Sequence, residues 1–204
     1  MSRQRAASTS ICIIADGMDQ SKWELPRDAA MKGKEFSTLQ KVKLHVTCCI
    51  CHGYFVLYVI SNADTKKDAN ASIEILSHAL SMLQKSGVNL AACDITLQHD
   101  NTCREFKNNG GLRWAATQVS ASNIRSFVAQ FLRSGHTHED VDQGFAALSK
   151  HLLQVRQLHT PEDAARCIQS FLDKTKLFRF EPERKVCIMD EVRDWTLVKH
   201  AWGE

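Results

Sequence analysis

Three aspartates stand where a fold can gather carboxylates. Asp16 closes the apolar run Ile11-Cys12-Ile13-Ile14-Ala15. Asp100 closes the alternating run from Asp94 to His99. Asp142 falls in the first turns of a segment striped by Val141, Phe145, Leu148 and Leu152. Strand exits and helix starts present side chains at one end of a sheet. Carboxylates gathered there repel one another, and a hard divalent cation offsets that repulsion. All-oxygen donors favour Mg²⁺ or Mn²⁺. Two such ions can activate an attacking oxygen and stabilise the leaving oxygen of a phosphodiester, with no activated Ser or Cys. Taken singly, an acid at a strand exit is more often a turn residue. Asp140 also reads as the third helical residue of a cap opened by Thr137, and Glu139 as a favourable charge at the positive end of the helix. Asp142 has neither explanation, so Asp140 or Glu139 is the fallback third acid.

Other chemistries compete for the same residues. His136-Thr137-His138-Glu139-Asp140 matches the His-x-His-x-Asp part of a zinc-hydrolase motif, but that motif wants a His next and Val141 stands there. Cys48-Cys49-Ile50-Cys51-His52 contains a CxxC spacing. On a strand, residues three apart point to opposite faces, so buried thiols are the better reading than a structural zinc site. His136 and His138 are expected beside the acids, orienting water or phosphate rather than binding metal directly. Asn101, Lys107 and Asp19 complete the set of expected neighbours or substrate contacts. Lys107 and Asn108 read equally well as cap and solvated face.

The elements that must position these residues follow from periodicity. Ile11 to Ala15 predicts a buried strand, Lys41 to Ile50 a half-buried one, and Tyr54 to Ile60 a central one, the last two joined as a hairpin at His52-Gly53. Asp68 caps a helix whose core face is Ile73, Leu76, Leu80 and Leu83, with Gly87 as its stop. Asp94 to His99 is again a strand. Residues 102–119 are expected to be helical in part, with Gly110-Gly111 weakening the case. The spacing in 124–132 fits a helix or a strand. Thr137 opens a helix with Asp140 as its capping partner. Thr160-Pro161-Glu162-Asp163 opens another, facing inward with Ala164, Ile168, Phe171 and Leu172. Residues 17–40 read as an irregular connection. The tail, 176–204, holds two apolar patches that suggest a small strand pair.

The chain has 204 residues, 44% of them hydrophobic and 24% charged, with a net charge of +3. That allows one good-sized core and excludes a disordered chain, while the mild charge alone argues for no partner. The run from Lys22 to Lys43 is more basic and reads first as a solvated loop. Eight cysteines lie mostly in apolar runs and read as reduced, buried small hydrophobes. No run is long enough for a signal segment or a membrane span, so an intracellular compartment and no membrane partner are expected.

Three motifs carry a family resemblance. Ile13-Ile14-Ala15-Asp16-Gly17-Met18-Asp19-Gln20 with Leu25-Pro26-Arg27, then Asp100-Asn101 with Glu105, Lys107 and Asn108, then Gly135 to Gln143, resemble in their order an uncharacterised, transposon-derived eukaryotic family. The last segment is similar to the Gly-His-Ser/Thr segment of DDE-type transposase domains, in which the third metal-binding acid follows the glycine by seven positions, here Asp142. The resemblance spans about residues 11–160. It implies an α/β, ribonuclease-H-like mixed sheet flanked by helices, in the order strand, strand, strand, helix, strand, helix, strand, helix, with a C-terminal helix and tail. It therefore makes 124–132 a strand. The core would run over 11–175, after a disordered 1–10. The acids themselves, rather than any reaction known for the family, point to Asp16, Asp100 and Asp142 as catalytic ligands of two Mg²⁺ or Mn²⁺ ions; DNA as partner and a nuclear location are the matching expectations, and a homo-oligomer is compatible with them. Two rival expectations stand beside these: a domesticated, inactive core that binds DNA or protein, and the zinc hydrolase.

Overall fold

The computed structural model describes residues 9–31, 33–99, 104–131 and 139–195. In chain order the strands are β1 (Thr9–Gly17), β2 (Glu24–Leu25), β3 (Arg27–Asp28), β4 (Val42–Lys43), β5 (His45–Cys51), β6 (Phe55–Ser61), β7 (Cys93–His99), β8 (Ser126–Phe131), β9 (Gln157–Leu158) and β10 (Glu183–Met189). The α-helices are α1 (Lys34–Thr38), α2 (Ala69–Lys85), α3 (Asn109–Ser120), α4 (Glu139–Leu152) and α5 (Pro161–Lys174). The fold is mixed α/β, with a six-stranded mixed sheet in the order β10-β6-β5-β1-β7-β8 and four longer helices. The chain divides into two compact units, one of Met1–Ile14, Lys67–His136 and Arg193–Glu204, the other of Ala15–Lys66 and Thr137–Val192.

In the first unit, β7 and β8 run parallel, with Asp94 opposite Ser126 and His99 opposite Phe131. A parallel pair needs a crossover, and α3 supplies it. Asn108 caps α3 by accepting the Gly111 N–H at 3.1 Å, while Trp114 and Ala115 are buried. That anchorage explains why the helix forms despite two glycines near its start. Ser126–Phe131 is a strand, as the resemblance implied and periodicity alone did not. α2 follows its sequence signals closely. The Asp68 carboxylate accepts the N–H groups of Asn70 and Ala71. At the far end Gly87 N–H meets Gln84 C=O and Val88 N–H meets Leu83 C=O, a Schellman stop that needs the positive φ of 85° at Gly87.

In the second unit, β5 and β6 form the expected hairpin, and β10 adds to the other side of β6 in parallel. That double flanking is why all seven residues of β6 are buried and apolar but for the last, Ser61. The described part of the tail thus contributes one strand, whose partner is β6. Residues 17–40, expected to be irregular, include α1 and one strand of each of two short ladders, β2 with β4 and β3 with β9. Trp23 is fully buried there, and its indole N–H donates to Met18 Sδ at 3.1 Å. α5 opens where expected, with Pro161 in the first turn, and its start is a capping box: Thr160 and Asp163 exchange side-chain and backbone hydrogen bonds. The capping residue expected for α4, Thr137, lies outside the described residues.

The thiol expectation needs correcting at two positions. Cys48, Cys49 and Cys51 are free and buried, as are Cys93 and Cys167; Cys187 is only half-buried, and Cys12 is exposed. It sits between Ile11 and Ile13 on β1, whose alternation turns it outward.

Candidate functional site

Asp16 lies near the end of β1, half-buried, and its carboxylate accepts the N–H of Gly17 at 2.7 Å. Its negative charge acts on the Cys48 thiol of β5. Burial above all pushes that thiol far above its ordinary value; contact with the Tyr58 hydroxyl pulls it down, and Asp16 raises it further. Cys48 and Tyr58 are opposite each other across the β5–β6 ladder. Their side chains touch, yet the contact falls short of ordinary hydrogen-bond geometry, so the buried Tyr58 hydroxyl is unsatisfied among the described residues.

Asp142 sits on α4, which packs on β5 and α5. The residue is half-buried, and its Oδ2 is fully buried with no hydrogen-bond partner among the described residues. Gly144, in the same turn, lets α4 come close. A Cβ there would lie 2.9 Å from Phe178 Cζ and 3.0 Å from the Tyr58 hydroxyl oxygen. Phe145 next to it meets the Tyr58 ring edge-on, with centroids 6.3 Å apart. The turn that carries Asp142 is thus held against the same Cys48–Tyr58 pair that Asp16 influences. Periodicity identified Val141 and Phe145 as core. It could not see that Gly144 is a point of close approach, because a mid-helix glycine has no pattern of its own.

The other expected residues have varied surroundings. Asp140 is exposed, and its Oδ2 meets His52 Nε2 at 3.0 Å; the opposite ring nitrogen, Nδ1, meets the buried Glu181 at 3.0 Å. Burial opposes charging of His52, but the hydrogen bonds to Glu181 and Asp140 prevail and raise its pKa. Asp140 therefore has a partner other than metal, and this bridge had no signal in the sequence, since it joins residues 88 and 129 positions apart. Asp19 is an exposed cap: it accepts the Ser21 hydroxyl at 2.6 Å and the Ser21 N–H at 3.0 Å, which lowers its pKa. Lys107 is exposed, with its ammonium 5.6 Å from the centre of the Phe131 ring. Asp100, Asn101, His136 and His138 lie outside the described residues, as does the side chain of Glu139.

The exit of β7, which leads to Asp100, carries a buried polar cluster. His99 and Glu105 are both buried. Lys67 Nζ lies 2.7 Å from Glu105 Oε1, and His99 Nε2 lies 3.7 Å from Glu105 Oε2. The His99 ring also stacks on Phe106. Among the described residues, no three acids, histidines or cysteines are grouped closely enough to hold a metal ion by themselves. No described helix is long and apolar enough to cross a membrane.

No curated protein matches the chain. One family model matches residues 34–201, a span that includes Asp100 and Asp142 and starts after Asp16. That match covers well over half of the sequence, and the chain belongs to the family described as domain of unknown function DUF7869.

Proposed function

We propose that this chain is a transposase- or integrase-derived domain with a ribonuclease-H-like core, and that it performs metal-dependent phosphodiester cleavage or strand transfer on DNA. Asp16, Asp100 and Asp142 are its metal-binding acids in this reading. The observation that carries it is Asp142 Oδ2, buried with no hydrogen-bond partner among the described residues. A polar atom left so typically costs ~1–3 kcal/mol, and more when charged. Such a cost persists in natural proteins where a ligand compensates it.

Two further features support the reading. With α1 and the four two-residue strands set aside, the element order is β1, β5, β6, α2, β7, α3, β8, α4. That is the order implied by the resemblance. The donor set is also all oxygen, which suits Mg²⁺ or Mn²⁺. Bound there, such ions would activate water or a 3′-hydroxyl and stabilise the leaving oxygen. The chain's own part is to hold the acids. The Gly17 N–H holds the Asp16 carboxylate. The close approach at Gly144 sets the turn of α4 that carries Asp142. No side chain serves as a nucleophile in this scheme.

The test is calorimetric titration of Mn²⁺ into the wild type and an Asp16→Asn/Asp100→Asn double variant, each with and without branched DNA. The expected result is binding that the double variant loses. A folded wild type that takes up no Mn²⁺ at millimolar concentration, alone or with DNA, overturns the reading and leaves an inert binding scaffold.

A further inference from the structure

A cavity of about 390 Å³ opens in the second unit, between the connection after β1 and the last turn of α4. Four cations line it: Lys22, Arg27, Lys41 and Lys150. They come from the turn after Asp19, β3, the residue before β4, and α4. None forms an ion pair with a described residue. The single lining carboxylate, Glu24, already meets Lys43 at 3.2 Å. Folding therefore brings together four like charges with little to offset them: the Asp19 carboxylate feels Lys22, Lys41 lies 5.4 Å from the centre of the Phe36 ring, and no carboxylate pairs directly with any of the four among the described residues. Ser21 and Ser149 also line it, and the apolar part of the wall is Leu152 with Leu153, which is 78% exposed. An exposed leucine inside a cationic recess is a surface for a flat apolar group.

We propose that this recess binds a nucleotide through its phosphates, with the cations on the phosphate oxygens and the leucine wall under the base. A single carboxylate would answer one of the four cations; successive phosphates answer several. A guanidinium such as that of Arg27 suits a phosphate in bidentate fashion, while the lysines act as point charges. The volume falls within the range of about 300–1,000 Å³ usual for small-ligand clefts. The concave form favours a nucleotide over a flat lipid surface. The same chemistry could be offered by a free nucleoside diphosphate or by a nucleic-acid strand. The inference does not rest on the metal reading, because phosphate binding by lysine and arginine needs no divalent ion.

The experiment uses the full chain in EDTA at low salt. Its probes are mant-ADP and a fluorescein-labelled oligothymidylate of about 20 nucleotides, followed by anisotropy. Lys22→Gln/Lys150→Gln is the test variant, and Lys85→Gln/Lys174→Gln, with the same charge change elsewhere, is the control; circular dichroism confirms that both fold. The wild type should bind at least one probe saturably, the test variant about tenfold or more weakly, and the control as the wild type does. Binding of mant-ADP that unlabelled ADP displaces assigns the site to a free nucleotide. Binding of the strand alone, with a log K against log salt slope that falls by about one to two in the test variant, assigns it to a nucleic-acid backbone. The inference is overturned by three results: no binding of either probe, equal binding by both variants, or binding only to phosphatidylserine-containing vesicles. An Asp16→Asn variant should bind the probes as the wild type does, so a failed metal site and a failed phosphate site give different results.

Discussion

Replacing Asp142 by Asn should make the metal-free protein more stable and the metal-loaded protein less stable. The perturbation keeps the shape of the side chain and removes its charge. Asp142 Oδ2 is buried with no hydrogen-bond partner among the described residues. An unmet buried polar atom costs ~1–3 kcal/mol, and because the residue as a whole is half-buried, the lower end applies, about 1 kcal/mol. Asn still leaves a polar atom there, but a neutral one, so what it relieves in EDTA is the added cost of the charge, taken as about 1 kcal/mol. With a divalent ion at about a hundred times its dissociation constant, the wild type gains ~2.7 kcal/mol by mass action. A variant that no longer binds gains nothing, so the order of stabilities reverses by about 1.5–2 kcal/mol. Urea unfolding reads both quantities, and the fully buried Trp23 gives the second unit a fluorescence signal. With a slope of about 2 kcal/mol per molar, the midpoint in EDTA should rise by ~0.5 M. A variant that is destabilised in EDTA by 1 kcal/mol or so would refute the reasoning, since it would mean the oxygen has a partner that Asn fails to replace.

Two further predictions concern the packing and charge around that helix. Gly144→Ala should destabilise the protein by about 0–2 kcal/mol: the new Cβ meets Tyr58 and Phe178 at 3.0 Å or less, an overpacking cost of ~1–3 kcal/mol, against ~1 kcal/mol gained in helix propensity. Chemical denaturation measures it, and a clear stabilisation would show that α4 does not press on Tyr58. For His52, only the doubly protonated ring can donate to Glu181 and Asp140 at once. Its folded pKa is raised, so the bridge contributes fully below the unfolded value of about 6.5 and is lost as pH rises through the folded value. Stability should therefore fall over that window. His52→Gln should flatten the dependence, and an NMR titration placing the His52 pKa below 6.5 would sink the account.

The secondary structure was legible where local chemistry is strong. Asp68 and Gly87 bracket α2 as their side-chain and backbone preferences require, and Thr160, Pro161 and Asp163 start α5. Residues 124–132 were not legible from periodicity, because Phe127 and Phe131 satisfy a helix and a strand alike; pairing with β7 decides it. The short strand β3 had no local signature either, since it finds its partner β9 about 130 residues later. Of the candidate site, the elements carrying Asp16 and Asp142 were predicted from apolar runs alone. What surrounds them was not. The Cys48–Tyr58 contact depends on hairpin register, the Gly144 approach on how α4 lies over β6, and the His52 bridge on three separate segments.

The distribution of unmet polar groups bears on whether the second unit is shaped for folding alone. The described residues have three buried side-chain polar atoms without a hydrogen bond, Tyr58 Oη, Asp142 Oδ2 and Trp114 Nε1. Two of the three lie in the second unit, at β6 and α4, where Gly144 brings a helix turn onto Tyr58. Phe at 58 and an apolar residue at 142 would remove both costs, and Ala at 144 would favour the helix; each is a common way to stabilise a protein. A sequence selected for stability alone would drift toward those choices. Departures from local consistency that cluster in one place, rather than scattering over the chain, are the pattern expected where a site constrains the residues. Asp142 is the clearest case. A buried tyrosine hydroxyl is a modest cost for a large apolar ring that fills the core, but a carboxylate brings no comparable packing gain to set against its unmet oxygen.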